Sequence, residues 1–133
     1  MKIHHVAVSV SDINLAKEWY LKIFDLDIVT QYAKNDRAFC LLGSGDFKIE
    51  LIQPLSNGEP TPDYRKTLQS DLKVGGIKHF CYQVKNLSDE IARLVRLGVV
   101  IEKEISEAGF GGYYSFIKDL DGNLIEVWSE ALN

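Results

Sequence analysis

The fold is decided by the segment 3–13, IHHVAVSVSDI, which recurs in the second half of the chain as the segment 77–87, IKHFCYQVKNL. An isoleucine, a histidine and a valine occupy identical places in the two segments. Near the end of each half, the segment 47–51, FKIEL, aligns in the same way with 123–127, NLIEV, so that an isoleucine and a glutamate recur. Self-similarity at a nearly fixed spacing indicates an internal duplication.

Each copy of the repeat is predicted to contain one helix and four strands. Alternation of apolar and polar residues indicates the strands, and apolar residues at helical spacing, with Leu15, Trp19 and Ile23 on one face, indicate the first helix. Ser11 or Asp12 and Asn86 or Ser88 are the candidate N-caps. The predicted order is strand 3–10, helix 13–24, strands 27–32, 37–42 and 47–53, and then, after a connector with a helical turn near 64–68, strand 77–84, helix 87–97 and strands 99–105, 113–118 and 124–129. This order predicts an α+β fold of tandem βαβββ modules.

Length and composition limit the class of protein. A chain of 133 residues is the size of a single domain, with module one at about 1–54, a connector at about 55–75 and module two at about 76–133. The net charge is −4 and neither half is basic, which argues against a nucleic-acid partner. The longest apolar run, 38–42, is far too short to cross a membrane, and the N-terminus lacks the apolar region of a secretory signal. Cys40 and Cys81 are expected to be buried thiols in a reducing compartment, so a cytoplasmic location is expected.

Four ionisable residues, His5, Glu50, His79 and Glu126, lie in segments where strands are expected to be apolar. A single histidine or glutamate in a strand is usually structural, but here both recur at matching places in the two modules. Alternation places all four on the concave face, away from the helices, and two imidazoles with two carboxylates suit a divalent cation such as Zn²⁺, Ni²⁺, Co²⁺, Fe²⁺ or Mn²⁺. His4 aligns with a lysine and is expected on the surface rather than among the ligands.

The same alternation predicts which neighbours share a side with the four residues. Those expected beside the candidate ligands are Ala7, Ser9, Cys81, Gln83, Leu124 and Trp128, and those expected under the helices are Val6, Val8, Phe80 and Ile125.

The doubled module with its His…Glu…His…Glu pattern resembles the vicinal oxygen chelate superfamily, which includes glyoxalase I, methylmalonyl-CoA epimerase, extradiol dioxygenases and the fosfomycin- and bleomycin-resistance proteins. The segments 4–12, HHVAVSVSD, and 16–20, AKEWY, are similar to the family's first strand and helix, and 116–128, FIKDLDGNLIEVW, is similar to its last hairpin, with Leu120 in place of the usual proline. The resemblance implies a single glyoxalase-like domain with a curved, cup-shaped mixed sheet and helices on its outer face. It also implies a divalent metal ion bound by His5, Glu50, His79 and Glu126, a small-molecule substrate and a homodimer.

The second ligand position separates the members of that superfamily. Bacterial glyoxalase I has the His, Glu, His, Glu pattern found here, the epimerase usually has glutamine at the place of Glu50, and the dioxygenases lack a ligand there. The segments 50–55, ELIQPL, and 75–80, GGIKHF, are instead similar to the epimerase. We therefore expect a glyoxalase I-like lyase or isomerase that moves a proton next to a metal-chelated carbonyl, with Glu126 and Glu50 as catalytic bases. An epimerase, a binding or resistance protein and a ring-cleaving dioxygenase are the alternatives. The substrate, the metal and the thiol (glutathione, CoA or another) stay open, as does whether the site forms within one chain or across a dimer.

Overall fold

The structure is a computed structural model that describes residues 1–56 and 58–133. It consists of two compact units, Met1–Pro60 and Thr61–Asn133, and each contains one of the predicted βαβββ modules. The α+β class and the duplication are confirmed. No helix among the described residues is long and apolar enough to cross a membrane.

The first unit is a four-stranded mixed sheet with one helix. Its elements are β1 (Val6–Ser9), α1 (Ile13–Phe24), β2 (Asp27–Lys34), β3 (Arg37–Ser44) and β4 (Phe47–Pro54). The strand order is β1-β4-β3-β2, in which β1 runs parallel to β4 and the other pairs are antiparallel. The connection between the parallel neighbours β1 and β4 runs through α1, β2 and β3, which gives the long crossover that a parallel pair requires.

The second unit repeats this topology after a connector that contains a 3-10 turn (Asp63–Arg65) and the short helix α2 (Leu68–Asp71). Its elements are β5 (Phe80–Gln83), α3 (Leu87–Arg96), β6 (Val100–Glu107), β7 (Tyr113–Lys118) and β8 (Leu124–Ser129). The order β5-β8-β7-β6, with β5 parallel to β8, matches the first unit strand for strand.

The register of the parallel pairs shows the duplication at the level of single residues. Ala7 of β1 lies opposite Glu50 of β4, and Cys81 of β5 lies opposite Glu126 of β8. The two glutamates therefore occupy equivalent places in their sheets. Each of the two histidines stands two residues before the residue that faces its glutamate.

One face of each sheet is buried under the helix of its own unit. Ile49 and Leu51 of β4 and Ile125 and Val127 of β8 are fully buried, and the glutamate between each pair points to the other face. Burial of each of these aliphatic side chains contributes about 1.5–3 kcal/mol. This burial fixes the register, because a shift of one residue would bury the glutamate instead.

The helices begin where the sequence predicts, but the buried stripe of α1 differs from the prediction. The side chain of Asp12 accepts hydrogen bonds from the N–H groups of Asn14 and Leu15, and that of Asn86 accepts one from Asp89 at the start of α3. The prediction that Leu15 is in the apolar face is wrong, since Leu15 is 57% exposed. The stripe that packs on the sheet is Ala16, Tyr20 and Ile23. It follows the i, i+4, i+7 spacing one residue further along.

The first strand of each module is shorter than predicted. The ladders begin at Val6 and Phe80, because pairing with β4 and β8 begins only at Ile49 and Ile125. Ile3 and Ile77, expected to be strand residues, lie before the ladders and are 79% and 90% exposed. His5 and His79 therefore stand immediately before the strands rather than within them.

Candidate functional site

The second unit brings His79 and Glu126 into direct contact. The Nε2 atom of His79 lies 2.8 Å from Oε2 of Glu126, and the two side chains are 24% and 14% exposed. The ring of His79 also meets the ring of Phe116 edge to face, with 4.8 Å between the centroids. Its Nδ1 atom is buried and has no hydrogen-bond partner among the described residues. Glu126 and Phe116 therefore contact the same imidazole.

The first unit contains the equivalent pair with a looser geometry. The Nε2 atom of His5 lies 3.5 Å from Oε2 of Glu50, and the side chains are 37% and 21% exposed. His4 is exposed, as predicted, but its Nδ1 atom is hydrogen-bonded to Nδ1 of His5 at 2.8 Å. One of these two nitrogens carries the shared proton, so His4 influences the orientation of the His5 ring.

The geometry and chemistry of both pairs fit a divalent cation. Two ligand atoms that each lie about 2.1 Å from one zinc ion are about 3.0–3.4 Å apart at square or tetrahedral angles. The observed N···O separations of 2.8 and 3.5 Å bracket that range. Within neither unit do the described residues bring three or more histidine, cysteine, aspartate or glutamate side chains together. Each unit thus offers one imidazole and one carboxylate, and the prediction that all four residues bind the same ion stays a prediction.

The side-chain directions expected from alternation are largely confirmed within each unit. Ala7 and Ser9 are exposed and Val8 is buried, while Cys81 and Gln83 are exposed and alternate with half-buried neighbours. Leu124 lies on the same side of β8 as Glu126 but is buried, because Leu68 of α2 and Phe116 pack against it. The connector therefore covers part of the face that carries Glu126.

Trp128 is half-buried and contacts a glycine-rich loop. Its indole Nε1–H donates to the carbonyl oxygen of Gly111 at 3.1 Å, and its ring stacks with that of Phe110 at 6.3 Å. The ring of Phe110 is 81% exposed. Because Trp128 follows Glu126 by two residues on β8, these aromatic rings lie on the Glu126 face of the sheet.

The two cysteines have different environments. Cys40 is buried, as predicted, and burial raises the pKa of its thiol above the ordinary value, although the charge of Lys17 opposes this. The expectation that Cys81 is also buried is wrong, because its alternation places it on the exposed face beside Glu126. Partial burial and the negative charge of Glu126 raise the pKa of the Cys81 thiol to about 11. Cys81 is therefore a protonated, weakly nucleophilic thiol at neutral pH.

Two further neighbours of the site, Phe116 and Asp71, were not predicted from sequence. Phe116 lies opposite Glu126 in the antiparallel β7–β8 pair. The alternation of β7 gives the necessary signal, but only once this register is known. Asp71 lies in the connector, where no periodic pattern predicts a packed position. It is 1% exposed and carries ion pairs with Arg65 and Lys78.

Comparisons with known proteins agree on one family. The profile of the Glyoxalase/Bleomycin resistance protein/Dioxygenase superfamily matches residues 2–127. The chain is 26% identical to methylmalonyl-CoA epimerase, mitochondrial, of Mus musculus, over 95% of this chain and 71% of the relative. It is also 26% identical to ethylmalonyl-CoA/methylmalonyl-CoA epimerase of Cereibacter sphaeroides, over 95% of this chain and 96% of the relative. The crystal structure of a glyoxalase family protein from Enterococcus faecalis superposes with a TM-score of 0.79 at 22% identity, covering 96% of each chain, which is a likeness of fold.

Proposed function

The chain belongs to the Glyoxalase/Bleomycin resistance protein/Dioxygenase superfamily, and from that premise we propose that it is a metal-dependent isomerase that moves a proton at a carbon next to a carbonyl group. The observation that carries the proposal is the recurrence of a contacting histidine–glutamate pair at the equivalent place of each module. Such paired placement of carboxylates beside imidazoles has no structural need in the sheets, because the faces that hold each module together are apolar.

We propose that His5, Glu50, His79 and Glu126 hold one divalent cation, with Zn²⁺, Ni²⁺, Co²⁺, Fe²⁺ and Mn²⁺ as the candidates. When bound, the cation supplies Lewis-acid polarisation of the substrate's carbonyl, which makes the adjacent C–H acidic enough to lose a proton. Metal analysis of the purified protein tests this ligand set. We expect one equivalent per chain, and each single His→Ala variant should lose it.

The carboxylates are the groups of this chain that can take the proton. A general base must lie within about 3 Å of the proton that it removes. Glu50 and Glu126 lie on the sheet face opposite the helices, and each is next to a histidine that would hold the metal-bound substrate. Glu126 is the better placed of the two, because its side chain is 14% exposed and contacts the better-buried histidine. Glu50 is the corresponding base in the other module.

The class of reaction is an epimerisation or a closely related isomerisation. Curated relatives from a mammal and a bacterium are named methylmalonyl-CoA epimerases. We therefore propose an acyl thioester with an acidic α-carbon as the first substrate to test. The second candidate is a glyoxalase I-like conversion of a 2-oxoaldehyde–thiol adduct. It is favoured by the presence of a glutamate at position 50, where the epimerases that the sequence resembles usually have glutamine.

The experiment compares glutamine variants of the two glutamates in the metal-loaded protein. Glutamine keeps an oxygen for the metal but cannot accept a proton at neutral pH. We expect Glu126→Gln to retain metal and to lose at least about 10²-fold in turnover. Glu50→Gln should lose a similar factor if both faces of the carbon are used, as in epimerisation, and clearly less if the reaction is one-sided. The matched control is Glu104→Gln, an exposed position on β6 of the same module as Glu126.

Two assays distinguish the candidates. Solvent deuterium incorporation into methylmalonyl-CoA reports the epimerase reaction, and the loss of methylglyoxal–glutathione adduct reports the glyoxalase reaction. A Glu126→Gln protein that stays metal-loaded and fully active on a proven substrate would remove Glu126 as the base, whereas a metal-loaded parent protein that is inactive in both assays would favour a binding protein or a dioxygenase. We also expect a homodimer, which light scattering tests.

A further inference from the structure

A buried carboxylate in the connector is tied to the residue next to His79. Asp71 of α2 is 1% exposed, and its Oδ1 atom lies 3.4 Å from Nζ of Lys78 and 3.5 Å from Nε of Arg65. The ammonium of Lys78 also donates to the backbone carbonyl oxygens of Asp71 at 2.8 Å and Val74 at 2.5 Å. Three acceptors use all three N–H groups of the ammonium, so Lys78 is held in one position.

The same short helix is also linked to His79 indirectly, through the side chain of Phe116. Leu68, at the start of α2, packs against Phe116, and the ring of Phe116 contacts the ring of His79 edge to face. The connector therefore contacts both the preceding residue of His79 and the aromatic side chain on which the imidazole rests. Leu68 and Asp71 begin and end the same short helix, so both contacts belong to α2.

Asp71 and His79 each have one buried side-chain atom without a hydrogen-bond partner among the described residues. These atoms are Oδ2 of Asp71 and Nδ1 of His79. One is a carboxylate oxygen and the other a ring nitrogen, and Lys78 links the two residues. A histidine that binds a metal through one nitrogen commonly gives its other N–H to a carboxylate or to another fixed acceptor.

We propose that Asp71 is a positioning residue that fixes the imidazole of His79, acting through Lys78 and through the packing of α2 on Phe116. The inference deepens the proposed function, in which His79 is a metal ligand, and it rests on that function for its purpose. The position of the His79 ring can nevertheless be measured in the metal-free protein, so the two ideas can fail separately.

The test uses two variants of the support and one matched control in the full chain. Asp71→Asn removes the charge at constant shape, and Lys78→Met removes the ammonium and keeps the stem. The control is Glu90→Gln, which breaks a different side-chain ion network of this unit, formed by Glu90 with Arg93 and Tyr82 on α3 and β5. Urea unfolding of all three variants tests that each one folds, and it allows their losses in the free energy of unfolding to be compared.

The first measurement is NMR of the metal-free protein. The chain has three histidines, so the ring protons of His79 are assigned by comparison with His79→Ala. In the parent protein we expect the ring current of Phe116, whose ring lies 4.8 Å from that of His79, to displace these signals from their unfolded positions. We expect Asp71→Asn and Lys78→Met to move them towards the unfolded values, and Glu90→Gln to leave them in place.

The second measurement is Co²⁺ affinity, read from the visible absorption of the bound ion. We expect the two support variants to bind about 10–100-fold more weakly than the parent, the usual effect of removing an outer partner of a ligand, and Glu90→Gln to stay within about twofold. Unchanged His79 signals in the folded support variants, or equal effects in Glu90→Gln, would overturn the inference. If the support variants shift the His79 signals but the parent protein itself binds no Co²⁺, the positioning role is supported and the proposed function is refuted.

Discussion

Substitution of Gly112 by alanine is expected to be among the most damaging single changes near the Glu126 face. Gly112 has a φ of +75°, and a Cβ atom there would lie 2.5 Å from the carbonyl oxygen of Ser129 and 2.7 Å from the Trp128 ring. The backbone of the loop 108–112 therefore lies directly against Trp128. A side chain at this position would have to displace both the strand and the indole.

Alanine substitutions at the three glycines of this loop separate the cost of a left-handed backbone from the cost of overpacking. Gly109 has neither a positive φ nor an atom within 4 Å of its Cβ position, and Gly111 has a φ of +101° with open space around it. Gly109→Ala should therefore change the free energy of unfolding by no more than about 0.5 kcal/mol. Gly111→Ala should lose about 1–2 kcal/mol from its left-handed backbone. Gly112→Ala should lose that amount and about 1–3 kcal/mol more from overpacking, or about 2–5 kcal/mol in total.

The measurement is urea unfolding followed by circular dichroism, with equal m-values as the criterion that the unfolded states are comparable. From the most to the least stable variant, the expected order is Gly109→Ala, Gly111→Ala and Gly112→Ala. If Gly112→Ala is as stable as Gly111→Ala, the loop is not packed against Trp128, and the placement of Phe110 beside the site is wrong as well.

Three further outcomes are expected. Burial raises the pKa of Glu90, but the hydrogen bonds from Arg93 and Tyr82 outweigh it and hold that pKa below 4.5. The contribution of the Glu90 carboxylate to stability is therefore complete above pH 4.5 and is lost as the pH falls through its folded-state pKa. In urea unfolding from pH 7 to pH 3, the stability difference between the parent and Glu90→Gln should shrink in acid, and a constant difference would contradict this. Alkylation of Cys81 by iodoacetamide, followed by mass spectrometry, should be slow at pH 8 and accelerate towards pH 11 in the native protein; a rate that saturates near pH 9 would show an ordinary thiol. Leu68→Ala should lose about 2–3 kcal/mol in urea unfolding, whereas Leu72→Ala, at a position that is 55% exposed, should change stability by less than about 0.5 kcal/mol.

The duplication made most of the fold predictable from the sequence. Two copies of one pattern must share one topology, so the alignment of the segments 3–13 and 77–87 was sufficient to predict eight strands and two long helices in the correct order. The strongest local signals, the N-caps Asp12 and Asn86, also gave the starts of those helices to the residue. The recurrence of histidine and glutamate identified the four residues that form the two contacting pairs, but it did not predict which imidazole meets which carboxylate.

The parts that were missed depend on contacts between segments that are distant in sequence. The connector contains two of the three prolines of the chain and has no hydrophobic period, so nothing indicated that Leu68 packs on the sheet or that Asp71 is buried. A helical turn was expected near 64–68, and the structure has a 3-10 turn at Asp63–Arg65 followed by α2. The error at Leu15 has a different cause, because two overlapping stripes of apolar residues satisfy the helical period and only packing on the sheet selects one.

The two modules share a topology but present their histidine–glutamate pairs differently. The pair in the second module is closer, at 2.8 Å against 3.5 Å, and its side chains are less exposed. The ring of His79 meets the ring of Phe116, whereas the ring of His5 meets the exposed His4 and the partly exposed Glu50. Charge–charge and charge–dipole interactions are stronger where water is excluded, so the second module should contribute more of the affinity for a cation and hold its carboxylate more firmly at the reacting carbon. The same residue types in the two halves thus differ in packing, and this difference predicts that Glu126 matters more than Glu50 for both the affinity for a cation and the turnover.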